Sequence, residues 1–225
     1  MPIARTIVAL AAKDLRIEIR SRASLSAAVV LALVAVVVVG LGSPPGARPR
    51  PEVIAPLLWV TTLYAALLIG DRLEAIDRED DARSWLWLSI EDRRAIFLGK
   101  LAACTALLAV VMAWTWASAI VLLDLRVGAA VPMLLALGAA SALATSAVVV
   151  LAATLVASVA HRSLLLPIVT VPLLLPTSIA NVSATRGLLA GDGGDPGPWI
   201  AILVTEALLF VGVGILSFEL IGGPS

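Results

Sequence analysis

Six apolar stretches, each long enough to cross a bilayer, dominate this chain and set what it can fold into. A hydrocarbon core of about 30 Å takes about 20 consecutive apolar residues of helix. The stretches run near 25–41, 53–70, 98–123, 131–160, 164–180 and 199–221. The fourth is too long for a perpendicular crossing, so it is expected to tilt, bend or project. With 60% hydrophobic residues against 14% charged, the chain carries more apolar surface than a soluble domain of its length could bury, so lipid must be its solvent. The expected fold is all-α, one transmembrane domain over residues 1–225.

Charge acts here through its position. Sixteen basic and sixteen acidic residues cancel, which removes any general attraction for nucleic acid. With the N-terminus inside, Arg5, Lys13, Arg16, Arg20, Arg22, Arg72, Arg78, Arg83, Arg93, Arg94, Lys100 and Arg162 fall on the cytoplasmic side, and only Arg48, Arg50, Arg126 and Arg186 fall outside. The positive-inside rule then places both termini in the cytoplasm. The outer connections, such as Gly42-Ser-Pro-Pro-Gly46 and Gly191–Pro198, are rich in glycine and proline and read as loops. The leader is long, contains Asp14 and Glu18 and precedes five further spans, which argues against a cleaved signal peptide.

Residues 1–22 are expected to form an amphipathic helix in the membrane interface. At 100° per residue Arg5, Lys13, Arg16 and Arg20 lie within about 80° of one another. Ile3, Ile7, Leu10 and Ile17 cluster on an adjacent arc expected to face acyl chains, and Asp14 interrupts that arc. A solvated basic tail that only fixes topology is the plainer alternative.

The connection 71–99 is dense in charge. It permits a helix with a Glu79–Arg83 pair at i,i+4, and it carries Trp85, Trp87 and Leu88. Tryptophans among charges suit either a protein partner or a lipid-interface belt at the foot of the third span. In the fifth stretch, Pro167, Pro172 and Pro176 each remove a backbone hydrogen bond, which predicts a kinked or unwound helix, either a hinge or a structural irregularity. Glu206 lies about two turns into the last stretch and should face the bundle or a cavity, since a carboxylate in lipid costs a few kcal/mol. With no cation of matching depth, one acid does not make a proton relay. Lone Cys104 reads as a small buried hydrophobe, and lone His161, beside Arg162, as an interfacial residue without a second ligand.

No G-x-x-x-x-G-K-[ST] is present, nor any H-E-x-x-H, C-x-x-C or Ser-His-Asp constellation. Energised work would therefore draw on another subunit, and no enzymatic activity is expected of this chain.

The order of parts, with Ile54-Ala-Pro-Leu-Leu-Trp-Val60, Asp71-Arg-Leu73 followed by Asp77 and Asp80, Phe97-Leu-Gly-Lys100 and Leu165-Leu-Pro-Ile-Val-Thr-Val-Pro-Leu-Leu-Leu-Pro176, resembles the CcmB family. That family is the haem exporter B component of cytochrome c maturation, of ABC-2 exporter architecture. The proline spacing of five and then four is the most specific element. Asp81-Ala-Arg-Ser84 and Ile90-Glu-Asp-Arg93 depart from the family's pattern in the charged connection. The resemblance implies a bacterial inner-membrane permease subunit working with a CcmA-like cytoplasmic ATPase, CcmC- and CcmD-like membrane subunits and a CcmE-like haem chaperone. It also implies haem as the ligand handled by the complex, with no cofactor held by this chain, and admits a homodimer. Glu79, Arg83, Trp85, Trp87 and Leu88 would then form the ATPase-docking loop. An ABC-2 permease for a lipid or drug, a proton-coupled secondary carrier and a non-transporting scaffold are the rival readings.

Overall fold

The computed structural model describes residues 3–44, 48–76, 92–157, 159, 162–191 and 195–220. Among these the chain is helical throughout its ordered elements, with no strand: α1 (Ile3–Ser21), α2 (Ala23–Gly42), α3 (Pro51–Ile76), α4 (Arg94–Leu122), a 3₁₀ turn (Gly128–Ala130), α5 (Val131–Val156), α6 (Arg162–Leu173), α7 (Leu175–Ala190) and α8 (Gly197–Leu220). Five helices are long and apolar enough to cross a membrane. The bent pair α6 and α7 makes a sixth crossing if the two count as one broken span. The protein is therefore an all-α, multi-pass membrane protein.

The centre is α3, α4 and α5. Between 61% and 67% of their apolar windows is buried, against 17% for α2 and 22% for α8, which leaves the last two as the lipid-facing walls. Close approach of the central helices depends on small residues. A Cβ added to Gly70 on α3 would collide with the Val149 side chain on α5, and one added to Gly214 on α8 would collide with the ring of Phe97 on α4. Small residues at such crossings let backbones approach where lipid supplies no hydrophobic drive for association.

Helix α1 corrects the reading of its apolar arc. Its main neighbour is α4, where Gly99 leaves room for Leu10; a Cβ there would stand 2.7 Å from that of Leu10. Leu10 and Ile17 therefore meet protein rather than acyl chains, whereas Ile3, Val8 and Ile19 remain exposed. Asp14 and Glu18 do not interrupt the buried face; they belong to it, at 2% and 0% exposure. Placed at i and i+4, they occupy one stripe with Ile7 and Leu10.

Several boundaries also move. α3 runs on to Ile76 and α4 begins at Arg94, so the charged connection is shorter at both ends than 71–99. α5 ends at Val156, and residues 181–190, beyond the end of the fifth apolar stretch, complete α7. Apolar length measures the hydrocarbon thickness, whereas a helix continues wherever its backbone stays paired.

Candidate functional site

Two groups of polar residues stand out inside this apolar bundle. The first lies where α1, α2, α3, α4 and α5 meet near the charged connection. Arg22 adopts a left-handed conformation (φ 54°) between α1 and α2, turning the chain so that Glu18 reaches back to the first turn of α2. Glu18 Oε1 there accepts hydrogen bonds from Ser24 N (2.9 Å), Ser24 Oγ (2.7 Å) and Leu25 N (3.0 Å). This is an N-cap supplied by the preceding helix: it satisfies amides that have no intrahelical acceptor and places negative charge at the positive end of the dipole. Arg72 Nε on α3 stands 3.9 Å from Glu18 Oε2, a Coulombic contact beyond hydrogen-bond reach.

Two residues further along α3, Lys100 Nζ on α4 donates to Glu74 Oε1 at 2.8 Å and to the Leu73 carbonyl at 3.3 Å. Thr154 Oγ1 on α5 donates to the same Glu74 oxygen at 3.1 Å. Both charged side chains are buried. The pair therefore clamps α3, α4 and α5 together beside the two ends of the connecting segment. Arg94, at the start of α4, also pairs with Glu219 near the end of α8. Lys100, counted above among the residues voting on topology, is thus an internal ion-pair partner.

The second group surrounds the broken helix. α6 and α7 are bent by 57° across Leu174, between Pro172 and Pro176. Pro167 lies within α6 away from the break. Pro176 has no N–H for the Pro172 carbonyl, which is why the helical ladder fails there. Beyond the bend, α7 turns polar residues toward the bundle: Asn181 Nδ2 donates to Ser141 Oγ on α5 (2.7 Å), and Thr185 Oγ1 accepts from Trp59 Nε1 on α3 (2.8 Å). A cavity of about 10 Å³ lies against the break, with Trp59, Thr62, Thr145, Leu174, Thr177 and Asn181 in its wall.

Glu206 on α8 is 7% exposed and turned from lipid. It stands by Thr177. Neither of its carboxylate oxygens has a hydrogen-bond partner among the described residues. Glu206 is not itself in the cavity wall; Thr177 is the side chain between them. Cys104 is buried and free, in the apolar core.

Of the residues singled out from sequence, the prolines and Glu206 are thus brought to one side of the bundle around α7. Glu79, Arg83, Trp85, Trp87, Leu88 and His161 lie outside the described residues, so the expected Glu79–Arg83 helix does too. Sequence reasoning missed Glu18, Glu74 and Lys100 as structural partners. A signal existed for two of them. Glu18 repeats Asp14 at i+4 within an apolar helix face, and Glu74 follows Gly70 at i+4, the face that meets α5.

At the opposite end, Arg48 Nε donates to Asp124 Oδ2 at 2.9 Å, tying the segment before α3 to the turn after α4. That guanidinium holds the exposed Asp124 carboxyl below its ordinary value of 3.8.

Comparison with curated proteins finds no match. Comparison with family models finds one, described as CcmB protein, over residues 5–220. That range takes in every described helix except the first two residues of α1. The chain belongs to the CcmB family, the membrane components of the haem exporter in cytochrome c maturation.

Proposed function

We propose that this chain is the permease subunit of an ABC transporter acting in haem delivery, or in release of the loaded haem chaperone, during c-type cytochrome maturation. The observation that carries this reading is the family match across 5–220. The energy would come from a CcmA-like ATPase docked on the segment between α3 and α4. CcmC- and CcmD-like subunits would lie in the same membrane and a CcmE-like chaperone on its outer side.

The geometry supports a specific route for force. Any load on that segment enters the bundle through its flanks, and the Glu74–Lys100 pair with Thr154 joins those flanks to α5. α5 in turn contacts α6, α7 and α8, so motion at the segment has a packed path to the broken helix. A loosely held loop would dissipate the same displacement.

In the docking segment Trp85, Trp87 and Leu88 supply the apolar anchors of an interface hot spot, and Glu79, Arg83, Glu91 and Arg93 its polar rim. The orientation proposed has both termini and the docking segment in the cytoplasm of a bacterial inner membrane. Cysteine labelling at Ala47 and Gly193 tests it, and cytoplasmic reactivity at both would reverse it. Docking is tested by co-purifying the ATPase with a Trp85→Ala, Trp87→Ala double variant whose insertion is checked separately. Each Trp that fills a partner pocket should cost about 2 kcal/mol or more of binding. Full ATPase recovery with coupled activity would leave the tryptophans as a membrane belt.

A further inference from the structure

Most threonine hydroxyls with a hydrogen bond in this bundle follow one habit, and those flanking the break depart from it. Thr61, Thr62, Thr105, Thr115 and Thr205 each donate to the carbonyl four residues earlier in their helix, at 2.7–2.9 Å. Back-bonding of this kind is how a threonine satisfies itself in an apolar helix. Thr170 and Thr177, which flank the break, do not: their hydroxyl oxygens are buried and have no hydrogen-bond partner among the described residues. The same holds for Asn181 Oδ1, although its amide nitrogen is bonded to Ser141. An unmade bond at a buried hydroxyl or amide costs about 1–3 kcal/mol, so several around one helix break call for a partner.

Two of these residues line one space. Thr177 and Asn181 stand at i and i+4 on α7 and both line the cavity at the break, opposite Thr62 and Thr145. Its volume of about 10 Å³ is at the lower edge of what one water molecule needs, and a water also needs two to four polar partners. Along the other side of Thr177 lies Glu206, with both oxygens unbonded among the described residues.

We propose that the cavity between α3, α5 and α7 is an internal hydration site, where one water molecule bridges Thr177 Oγ1 and Asn181 Oδ1 at the helix break. The water donates to the Asn181 oxygen and pairs with the Thr177 hydroxyl. That hydroxyl then stands in a polar chain running from the cavity to Glu206. A water-held contact can be remade after a small displacement, whereas a direct side-chain bond must be broken. The site therefore lets the bent segment shift against α3 and α5 without stranding buried polar atoms. The inference stands on the bundle's own geometry and is independent of which cargo the complex carries.

Radiolytic hydroxyl-radical labelling of the full chain in lipid nanodiscs, read residue by residue by mass spectrometry, tests it, because radicals form at bound water as well as in bulk. Leu174 lines the cavity at 1% exposure, while Leu108 and Leu137 are 0% exposed and do not. All three are the same residue type and equally shielded. Leu174 is expected to be oxidised several-fold more than either control, and Thr177→Val, which removes the hydroxyl at nearly constant volume, to bring it down to their level without altering labelling elsewhere. Equal labelling of the three leucines in the unsubstituted protein would overturn the site. So would Leu174 labelling that Thr177→Val leaves unchanged, which would trace the signal to opening of the break toward bulk water. Should Thr177→Val not fold, the comparison within the unsubstituted protein decides alone.

Discussion

The cluster beside the charged connection and the cluster around the broken helix are built from similar residue types and do opposite things. At the first, Glu74 and Lys100 meet at 2.8 Å and Glu18 accepts three hydrogen bonds with one oxygen. At the second, Thr170, Thr177, one end of Asn181 and the whole Glu206 carboxyl have no side-chain or backbone partner among the described residues. Paired polar groups in a low dielectric fix geometry, because breaking one leaves an expensive orphan. Unpaired ones mark places where the structure does not close upon itself. The difference sorts the bundle into an end held by paired polar groups and an end where several are left without a side-chain or backbone partner among the described residues.

The sharpest way to break the comparison is at the paired end. Lys100→Met leaves Glu74 buried against Thr154 without its cation and should cost about 3–5 kcal/mol, read by denaturant or thermal unfolding in micelles. A Glu74→Leu, Lys100→Met double variant removes both charges and should recover most of the loss. If Lys100→Met unfolds like the parent, the pair is not a clamp and the proposed force route through α5 loses its joint.

At the other end the expected effect is on function. Pro172→Ala with Pro176→Ala restores backbone donors at the break and should straighten α6 and α7. Stability should hold or rise by up to about 3 kcal/mol, the scale on which an interior proline disturbs a helix. Mature c-type cytochromes should fall. Normal cytochrome levels with normal insertion would show that the bend is an incidental irregularity and would remove the functional half of the comparison. A smaller effect is expected from Glu18→Ala, about 1–2 kcal/mol, the usual range for a lost helix N-cap. Its signature should be local, with faster amide exchange at Ser24 and Leu25, whose N–H groups lose their acceptor. Unchanged exchange there would mean that α2 does not depend on its cap from α1.

What could be read from sequence followed from two kinds of regularity. Apolar length gave five of the crossings, and the sixth where the bent pair counts as one span, because lipid thickness sets the length. Proline chemistry gave the place of the break, because a missing N–H is a local fact. The clamp was not legible, since Glu74 and Lys100 are 26 residues apart and nothing local says that α3 and α4 bring them together. The burial of Asp14 was misread, and that of Glu18 missed, for a related reason. A helical wheel shows that they share an arc with Ile7 and Leu10, but hydropathy assigns such an arc to lipid and charge to water. Only the α4 groove at Gly99, with the α2 amides waiting beyond it, reveals a protein-facing use for both. The polar face of α7 was hidden because Asn181 and Thr185 look like loop residues once an apolar run has ended at Ala180.

The smallest effect should come from the pair at the far end of the bundle, where Arg48 meets Asp124 at the surface. Asp124 is fully exposed and sits at a left-handed turn (φ 49°) after α4, so solvent screens the pair and little stability is at stake. Its sign is nonetheless fixed. The hydrogen bond from Arg48, and then its charge, hold the folded carboxyl below the value of 3.8 it has when unperturbed. A depressed folded pKa contributes stability that is fully present above the unfolded value and lost as pH falls through the folded one. The connection between α4 and α5 should therefore keep its tie to the segment before α3 at neutral pH and begin to lose it only below about pH 3.8. Arg48→Ala should return the Asp124 titration, followed by carboxyl ¹³C chemical shift, toward the ordinary range. It should leave the Glu74–Lys100 clamp and the unfolding midpoint at pH 7 nearly unchanged, as suits an exposed pair. An Asp124 titration that does not move would assign the depression to another neighbour, of which Arg126 is the nearest named source. A large fall in midpoint would instead mean that α3 and α4 are held as firmly at this end as at the Glu74–Lys100 end, and the division of the bundle into a clamped end and an open one would have to be redrawn.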